Sequence, residues 1–314
     1  MALLVVLVSL LFVPASQAGA SIPLAFGLTT GLDHDSLSRI TQVESETGGH
    51  VSLVNWFQDF GSPLLGQRAR AVLLSGRTPI ISWQPVDPSS PAPNELARIV
   101  AGDDDAYLRS FAHAIQSLPG AVWIRFAPEM NGDWEPWGVG VHGQTAAELV
   151  EAWRHVHDVF AAAGVTNVLW FWCPNVPAPG TGRLTDLYPG DQVVDVVGVD
   201  GYNFGGARPG TTWRSYRAIF GGALSELHAL SKRPIVLGEV GTVAGNGRAA
   251  NWIRTFFASL DASPAVRGFV WFDISKQINT RVDASPSSLR GFRLGIRSLR
   301  RGIARTATSA LGSG

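Results

Sequence analysis

The chain has 314 residues, 46% of them apolar and only 16% charged, with 35 glycines and 19 prolines. That composition excludes a disordered chain and fits a compact, loop-rich protein of one large or two small domains. Lysine plus arginine and aspartate plus glutamate balance at 25 each, so no net field draws the chain to nucleic acid or an anionic membrane.

Residues 2–13 are almost wholly aliphatic and run into Pro14-Ala15-Ser16-Gln17-Ala18-Gly19-Ala20. Residues 1–20 therefore read as a secretory signal peptide cleaved after Ala18 or Ala20, although no Lys or Arg precedes the apolar run. The run is shorter than the ~20 apolar residues a bilayer requires, so no membrane insertion is expected once the leader is removed.

Short β-rich runs then alternate with helix-period segments. The runs at 23–29, 50–57, 78–83, 121–126, 167–173, 193–199, 234–238 and 266–272 are near-continuous Val, Ile, Leu, Phe and Trp. Parallel strands covered on both faces look like this. Between them, Leu64, Leu65, Ala69, Val72 and Leu73 form a helical stripe, as do Leu108, Phe111, Ala112 and Ile115. Thr145-Ala146-Ala147-Glu148 spells a capping box, followed at helical spacing by Leu149, Trp153, Val156 and Phe160, with a stop at Gly164. Tyr216, Ile219, Ala223, Leu224 and Leu227 precede the seventh run, and Ile253, Phe256, Phe257 and Leu260 precede the eighth. Leu289, Phe292, Ile296 and Leu299 belong to a last helix, whereas the connection at 176–190 is rich in Pro and Gly and shows none. Eight strands alternating with helices predict an α/β fold, a single-domain (β/α)8 TIM barrel over residues 21–300, with 301–314 a disordered tail. A doubly wound open sheet is the alternative. It places a Gly-rich turn after its first strand, where this chain has Leu28-Thr29-Thr30-Gly31.

In a parallel barrel, side chains at the C-terminal strand ends meet above the core. The exits carry Trp56 and Asp59, Trp83 and Gln84, Arg125 and Glu129, Trp172 and Asn175, Asp200 and Tyr202, Glu239, and Trp271 and Asp273. A ring of carboxylates, amides and indoles suits a carbohydrate. Glu129 and Glu239 end the fourth and seventh strands, roughly across the mouth. Glycoside cleavage needs an acid and a carboxylate on opposite sides of the anomeric carbon, and a gap of ~5–5.5 Å would mean retention.

Other candidates read as structural. Asp133 and Glu135 read as solvated loop carboxylates, Asp200 and Asp273 as acceptors for loops, and Trp153 and Trp252 as packing residues. The lone Cys173, inside Leu169-Trp170-Phe171-Trp172-Cys173, excludes an intrachain disulfide and reads as a small buried hydrophobe. The seven histidines show no metal-ligand spacing. Gly138-Val139-Gly140-Val141-His142-Gly143 spells a dinucleotide fingerprint but follows no strand directly, and no G-x-S-x-G elbow occurs.

Arg125-Phe126-Ala127-Pro128-Glu129-Met130-Asn131-Gly132-Asp133-Trp134 and Leu237-Gly238-Glu239-Val240-Gly241 resemble glycoside hydrolase family 26, the β-mannanase-type family of retaining (β/α)8 enzymes. Tyr188-Pro189-Gly190-Asp191, Val199-Asp200-Gly201-Tyr202-Asn203, and Trp271-Phe272-Asp273 with Arg281-Val282-Asp283 carry the resemblance to the eighth helix. Trp56-Phe57-Gln58-Asp59 echoes it earlier. The resemblance implies Glu129 as acid/base and Glu239 as nucleophile of a double displacement. It also implies Arg125 beside the pair, Tyr202 as donor to the nucleophile, and Trp134 and Trp271 as sugar-contacting aromatics. Trp56 and Trp83, from their strand exits, complete the substrate-binding candidates. Pro128 stands where the family has His, which removes a polar group near the substrate and sets Ala127 in an extended conformation. The expectation is a secreted, monomeric, endo-acting hydrolase of a β-linked polysaccharide, β-1,4-mannan first, with β-1,3/1,4-glucan or β-1,3-xylan as alternatives. A catalytically silent carbohydrate-binding protein is the alternative of another class. No cofactor, metal or nucleic acid is expected.

Overall fold

The computed structural model describes residues 24–311 apart from 32–35, 90, 179–180, 245–246, 264 and 277. The expected leader at 1–20 lies outside the described residues. Eight strands, β1 (Ala25–Thr29), β2 (Leu53–Asp59), β3 (Thr78–Gln84), β4 (Val122–Phe126), β5 (Val168–Trp172), β6 (Val196–Asn203), β7 (Ile235–Thr242) and β8 (Val266–Phe272), form one closed barrel in chain order. Every pairing is parallel, and β8 returns to β1. This is the (β/α)8 barrel that the alternation of patterns predicts.

The helices are α1 (Ser36–Thr47), α2 (Gly66–Leu74), α3 (Glu95–Val100), α4 (Asp105–Gln116), α5 (Ala146–Ala162), α6 (Leu184–Leu187), α7 (Tyr216–Leu230), α8 (Arg248–Asp261) and α9 (Pro286–Leu311). The capping box before α5 is formed in both directions by Thr145 and Glu148, and Leu149, Trp153, Val156 and Phe160 are all buried. The stripes of α4 and α8 are buried likewise. Leu65 does not join the α2 stripe: it precedes the helix with non-helical dihedrals and is exposed. Among its described residues the connection at 176–190 holds a single turn, α6. The helix α9 runs into the segment expected to be a tail. No helix among the described residues is long and apolar enough to cross a membrane.

Strands β6 and β7 run about four residues past their apolar stretches. Gly201↔Val240, Tyr202↔Gly241 and Asn203↔Thr242 remain paired, so the ladder carries polar residues up to the mouth. Hydrophobic patterning ends there before the backbone hydrogen bonding does.

Successive residues of a strand face opposite sides of the wall. The apolar barrel interior is Leu53, Ile80, Phe171, Cys173, Val196, Val236 and Val270, with Ala25 and Trp123. A larger cluster outside the wall packs the helices against Trp56, Trp83, Trp172 and Trp271. Trp83 stacks on Phe111 of α4 at 4.2 Å and 17°. Trp271 meets Phe292 of α9 edge-on at 4.5 Å and donates Nε1–H to the Thr280 carbonyl. Trp56, 0% exposed, has the Arg68 guanidinium of α2 above its ring. The expectation that Trp56, Trp83 and Trp271 bind substrate is therefore corrected: all three are sealed between strands and helices. A one-residue step along each strand gives Phe57, Gln84 and Phe272, and these face the mouth.

Candidate active site

β4 ends at Phe126, and Ala127 and Glu129 then take left-handed conformations, with φ of 45° and 53°. Two such non-glycine residues within three positions are strained, and only surrounding contacts can hold them. Ala127 N–H donates to the Trp83 carbonyl (3.0 Å) and Glu129 N–H to the Cys173 carbonyl (3.1 Å), tying the turn to both neighbouring strands. Trp137, buried, donates Nε1–H to the Pro128 carbonyl at 2.8 Å. Ala127 is thus not extended as the following proline suggests; these bonds override the local preference.

The turn delivers the Glu129 carboxyl to the mouth. Trp134 donates Nε1–H to its Oε2 at 2.7 Å, and Asn175 donates Nδ2–H to its Oε1. Asn175 is itself fixed, since its N–H reaches Asn131 Oδ1 (2.8 Å) and Asn131 Nδ2 reaches its carbonyl (2.9 Å). Trp134 is 54% exposed and lies against Gly132, where a Cβ would come within 2.5 Å of the indole. Burial, and next the Glu239 charge, raise the Glu129 carboxyl above its usual range; Arg125 and the two donors oppose them.

Glu239 reaches the same place by a bulge. Val199 pairs with Leu237 but Asp200 pairs with Glu239, so Gly238 is the extra residue. A Cβ at Gly238 would lie 2.4 Å from Cys173 Sγ and 2.7 Å from Asp200 Oδ1, which excludes any larger side chain without a shift. Arg125 donates Nη1–H to Glu239 Oε1 at 2.6 Å, and Tyr202 donates its hydroxyl to Oε2. Arg125 also pairs with Asp200 through Nη2 and donates to Ser82 Oγ (3.1 Å), which in turn donates to Asn55 Oδ1 (2.8 Å). Cys173 Sγ–H donates to the other Asp200 oxygen at 3.1 Å. The guanidinium is wholly buried. Arg125 sits beside the pair as expected, as the counter-charge of Glu239, but it is sealed from solvent and does not join the substrate-binding residues among which the sequence places it. Burial and the Glu239 charge push the Tyr202 phenol well up, so it stays a hydrogen donor.

Oxygens of Glu129, Asp200 and Glu239 lie within 4.8 Å of one another. Such a trio could hold a cation, and the Arg125 guanidinium already supplies positive charge to two of its members. If all three carboxyls were ionised, one arginine would face three negative charges. A proton on Glu129 relieves that repulsion.

Above the pair lies a cleft of about 830 Å³, with Phe57, Gln84, Trp134, Tyr202, Phe204 and Phe272 on its walls. Tyr202 stacks on Phe204 at 5.5 Å and meets Phe272 edge-on at 5.7 Å, giving a continuous aromatic side next to Glu239. Sequence reasoning missed Phe57, Phe204 and Phe272. The alternation through Leu53, Asn55 and Phe57 carries the signal for the first. Glu135, read as solvated, is half-buried and lines the cleft. Asp133 is exposed. Asp273 is structural as expected: it and Asp283 both grip Arg39 of α1, at 2.6 and 2.9 Å.

Residues 105–232 match the family model of glycosyl hydrolase family 26. The chain belongs to that family. It is 33% identical over 245 residues to Endoglucanase H of Acetivibrio thermocellus, a match spanning 76% of this chain and 26% of that protein. It is 29% identical over 151 residues to a mannan endo-1,4-beta-mannosidase of Bacillus subtilis, spanning 46% of this chain and 37% of that protein. The matches thus span about a quarter and just over a third of those relatives' lengths. Among solved structures, a Bacillus subtilis mannanase superposes with a TM-score of 0.61 at 20% identity, over 85% of each chain, which shows the fold of this family 26 chain.

Proposed function

We propose that the chain is an endo-acting, retaining glycoside hydrolase of a β-linked polysaccharide, with Glu129 as acid/base and Glu239 as nucleophile. The observation that carries this reading is the approach of their carboxyl oxygens to within 4.8 Å across the mouth, one group biased toward its protonated form and the other held by a buried cation. That spacing agrees with the ~5–5.5 Å of retaining enzymes and is shorter than the roughly 6.5–9.5 Å of an inverting pair.

In the first step a Glu239 oxygen forms a bond to the anomeric carbon while Glu129 gives its proton to the departing glycosidic oxygen. In the second step Glu129, now ionised, takes a proton from water, which attacks the same carbon and releases Glu239. Arg125 and Tyr202 hold both oxygens of Glu239 in place. They act also on the developing carboxylate as the ester breaks. Both carboxyls come from one chain, so a monomer suffices. A polysaccharide met outside the cell agrees with the apolar leader.

For substrate, a β-linked glucan is now favoured over the β-mannan first expected. A relative matched over 76% of this chain bears the name endoglucanase, and Pro128 offers no hydrogen bond where the family's histidine would. Glucose and mannose differ only at the C2 hydroxyl, so loss of one polar contact bears directly on the choice. β-Mannan is the second reading, supported by the mannosidase relative.

The test is reducing-sugar release from mixed-linkage β-glucan, β-mannan and β-1,3-xylan, with Glu129→Gln and Glu239→Gln alongside. Wild type should cleave β-glucan fastest, and each variant should lose at least about 10³-fold. Near-wild-type release by either variant would overturn the assignment. Polysaccharide binding with no release by wild type would favour a silent binding protein.

A further inference from the structure

Glu135 is a carboxyl that the proposed reaction does not use. It lines the cleft, it is half-buried, and among the described residues its carboxylate has neither a hydrogen-bond nor an ion-pair partner. A partly desolvated carboxylate without donors is unfavourable in the free protein, so a polar ligand that supplies donors gains by meeting it.

The backbone that carries it is firmly placed. The Gly138 N–H donates to the Glu135 carbonyl at 2.9 Å and the Val139 N–H to the Met130 carbonyl at 2.9 Å. The two limbs of the loop touch at Gly138, where a Cβ would come within 2.0 Å of the Gly132 carbonyl oxygen. Trp137 anchors the same turn to Pro128. A side chain on such a turn needs little further ordering to bind.

Its side of the cleft is also defined. Glu135 follows Trp134, whose indole donates to Glu129, and it feels the Glu129 charge more strongly than that of Glu239. The group that donates a proton to the departing oxygen marks the leaving-group side, so Glu135 stands on that side. Burial, then Glu129 and Glu239, lift its carboxyl to about 7, while Arg125 and Lys276 oppose them. Near neutrality it can accept from a hydroxyl when ionised and donate to one when protonated.

We propose that Glu135 is a substrate-binding residue of the leaving-group side, taking hydroxyl groups of the sugar unit that departs with the proton from Glu129. This rests on the hydrolase reading above. Glu135 contributes to polymer cleavage and nothing to a substrate whose leaving group has no hydroxyls.

The experiment compares wild type, Glu135→Ala and Glu135→Gln on mixed-linkage β-glucan and on 4-nitrophenyl β-cellotrioside, whose leaving group is a phenol. Glu135→Ala should lose about tenfold in kcat/KM on the glucan, mostly in KM, and less than about twofold on the aryl glycoside. Glu135→Gln, which keeps one acceptor and the shape, should fall between. Equal losses on both substrates, or no loss on the glucan, would overturn the assignment. Where wild type cleaves β-mannan instead, the same comparison is made on β-mannan and a 4-nitrophenyl β-mannooligoside; a wild-type protein inert on β-glucan, β-mannan and β-1,3-xylan alike overturns the hydrolase reading itself, and the inference with it.

Discussion

A carboxyl group proposed to give up a proton and take it back in one catalytic cycle must sit between two charge states, and the contacts of Glu129 pull both ways. Burial and Glu239 favour the neutral form, while Trp134 Nε1–H and Asn175 Nδ2–H favour the ionised one. The sign of a substitution follows. The first step of the proposed reaction needs protonated Glu129, so activity should be lost as pH rises through its raised pKa. Trp134→Phe removes a donor to the ionised form, raises the pKa further, and should carry the alkaline limb of kcat/KM to higher pH. A pH-rate profile reads this directly, and an unmoved or lowered limb would contradict the balance described.

At the scale of the element, strand parity decides which aromatic residues face the cleft and which hold the barrel to its helices. Trp83→Ala empties a sealed site between β3 and α4 and should cost about 3–5 kcal/mol by denaturant unfolding, with KM of the folded enzyme unchanged. Phe57→Ala, from the opposite face of β2, should raise KM roughly threefold to tenfold with little change in stability. The reverse pattern would restore the indoles to the cleft. This is also where the sequence stops being legible. The eight strands, the capping box at Thr145 and the two glutamates can be read because continuous apolar runs and helical spacing leave a one-dimensional trace. A fully apolar strand has no polar alternation to show its inner face, so Trp56 and Phe57 look equivalent until closure fixes the register. The bulge at Gly238 and the buried Arg125 with its Asp200 partner depend on contacts between strands far apart in sequence, and no local pattern announces them.

At the scale of the molecule, the site exists only because the cylinder closes. β8 pairs with β1, Arg39 ties α1 to the β8 exit through Asp273 and Asp283, and α9 lies against α8 and α1. At Gly295 of α9 a Cβ would fall 2.0 Å from Phe257 Cδ2, so Gly295→Ala should cost about 1–3 kcal/mol and lower Tm while leaving kcat of the folded protein intact. Equal thermal stability would show that α9 can move away without loss. In the proposed reaction closure matters because it brings Glu129, just past β4, and Glu239, on β7, to one mouth. The most direct measurement is to incubate the protein with a 2-deoxy-2-fluoro β-glycoside bearing an activated leaving group and locate the label by peptide mass spectrometry. One glycosyl unit esterified to Glu239 is the expected result; a label on Glu129 or Asp200, or turnover that releases the α-anomer first, would contradict it.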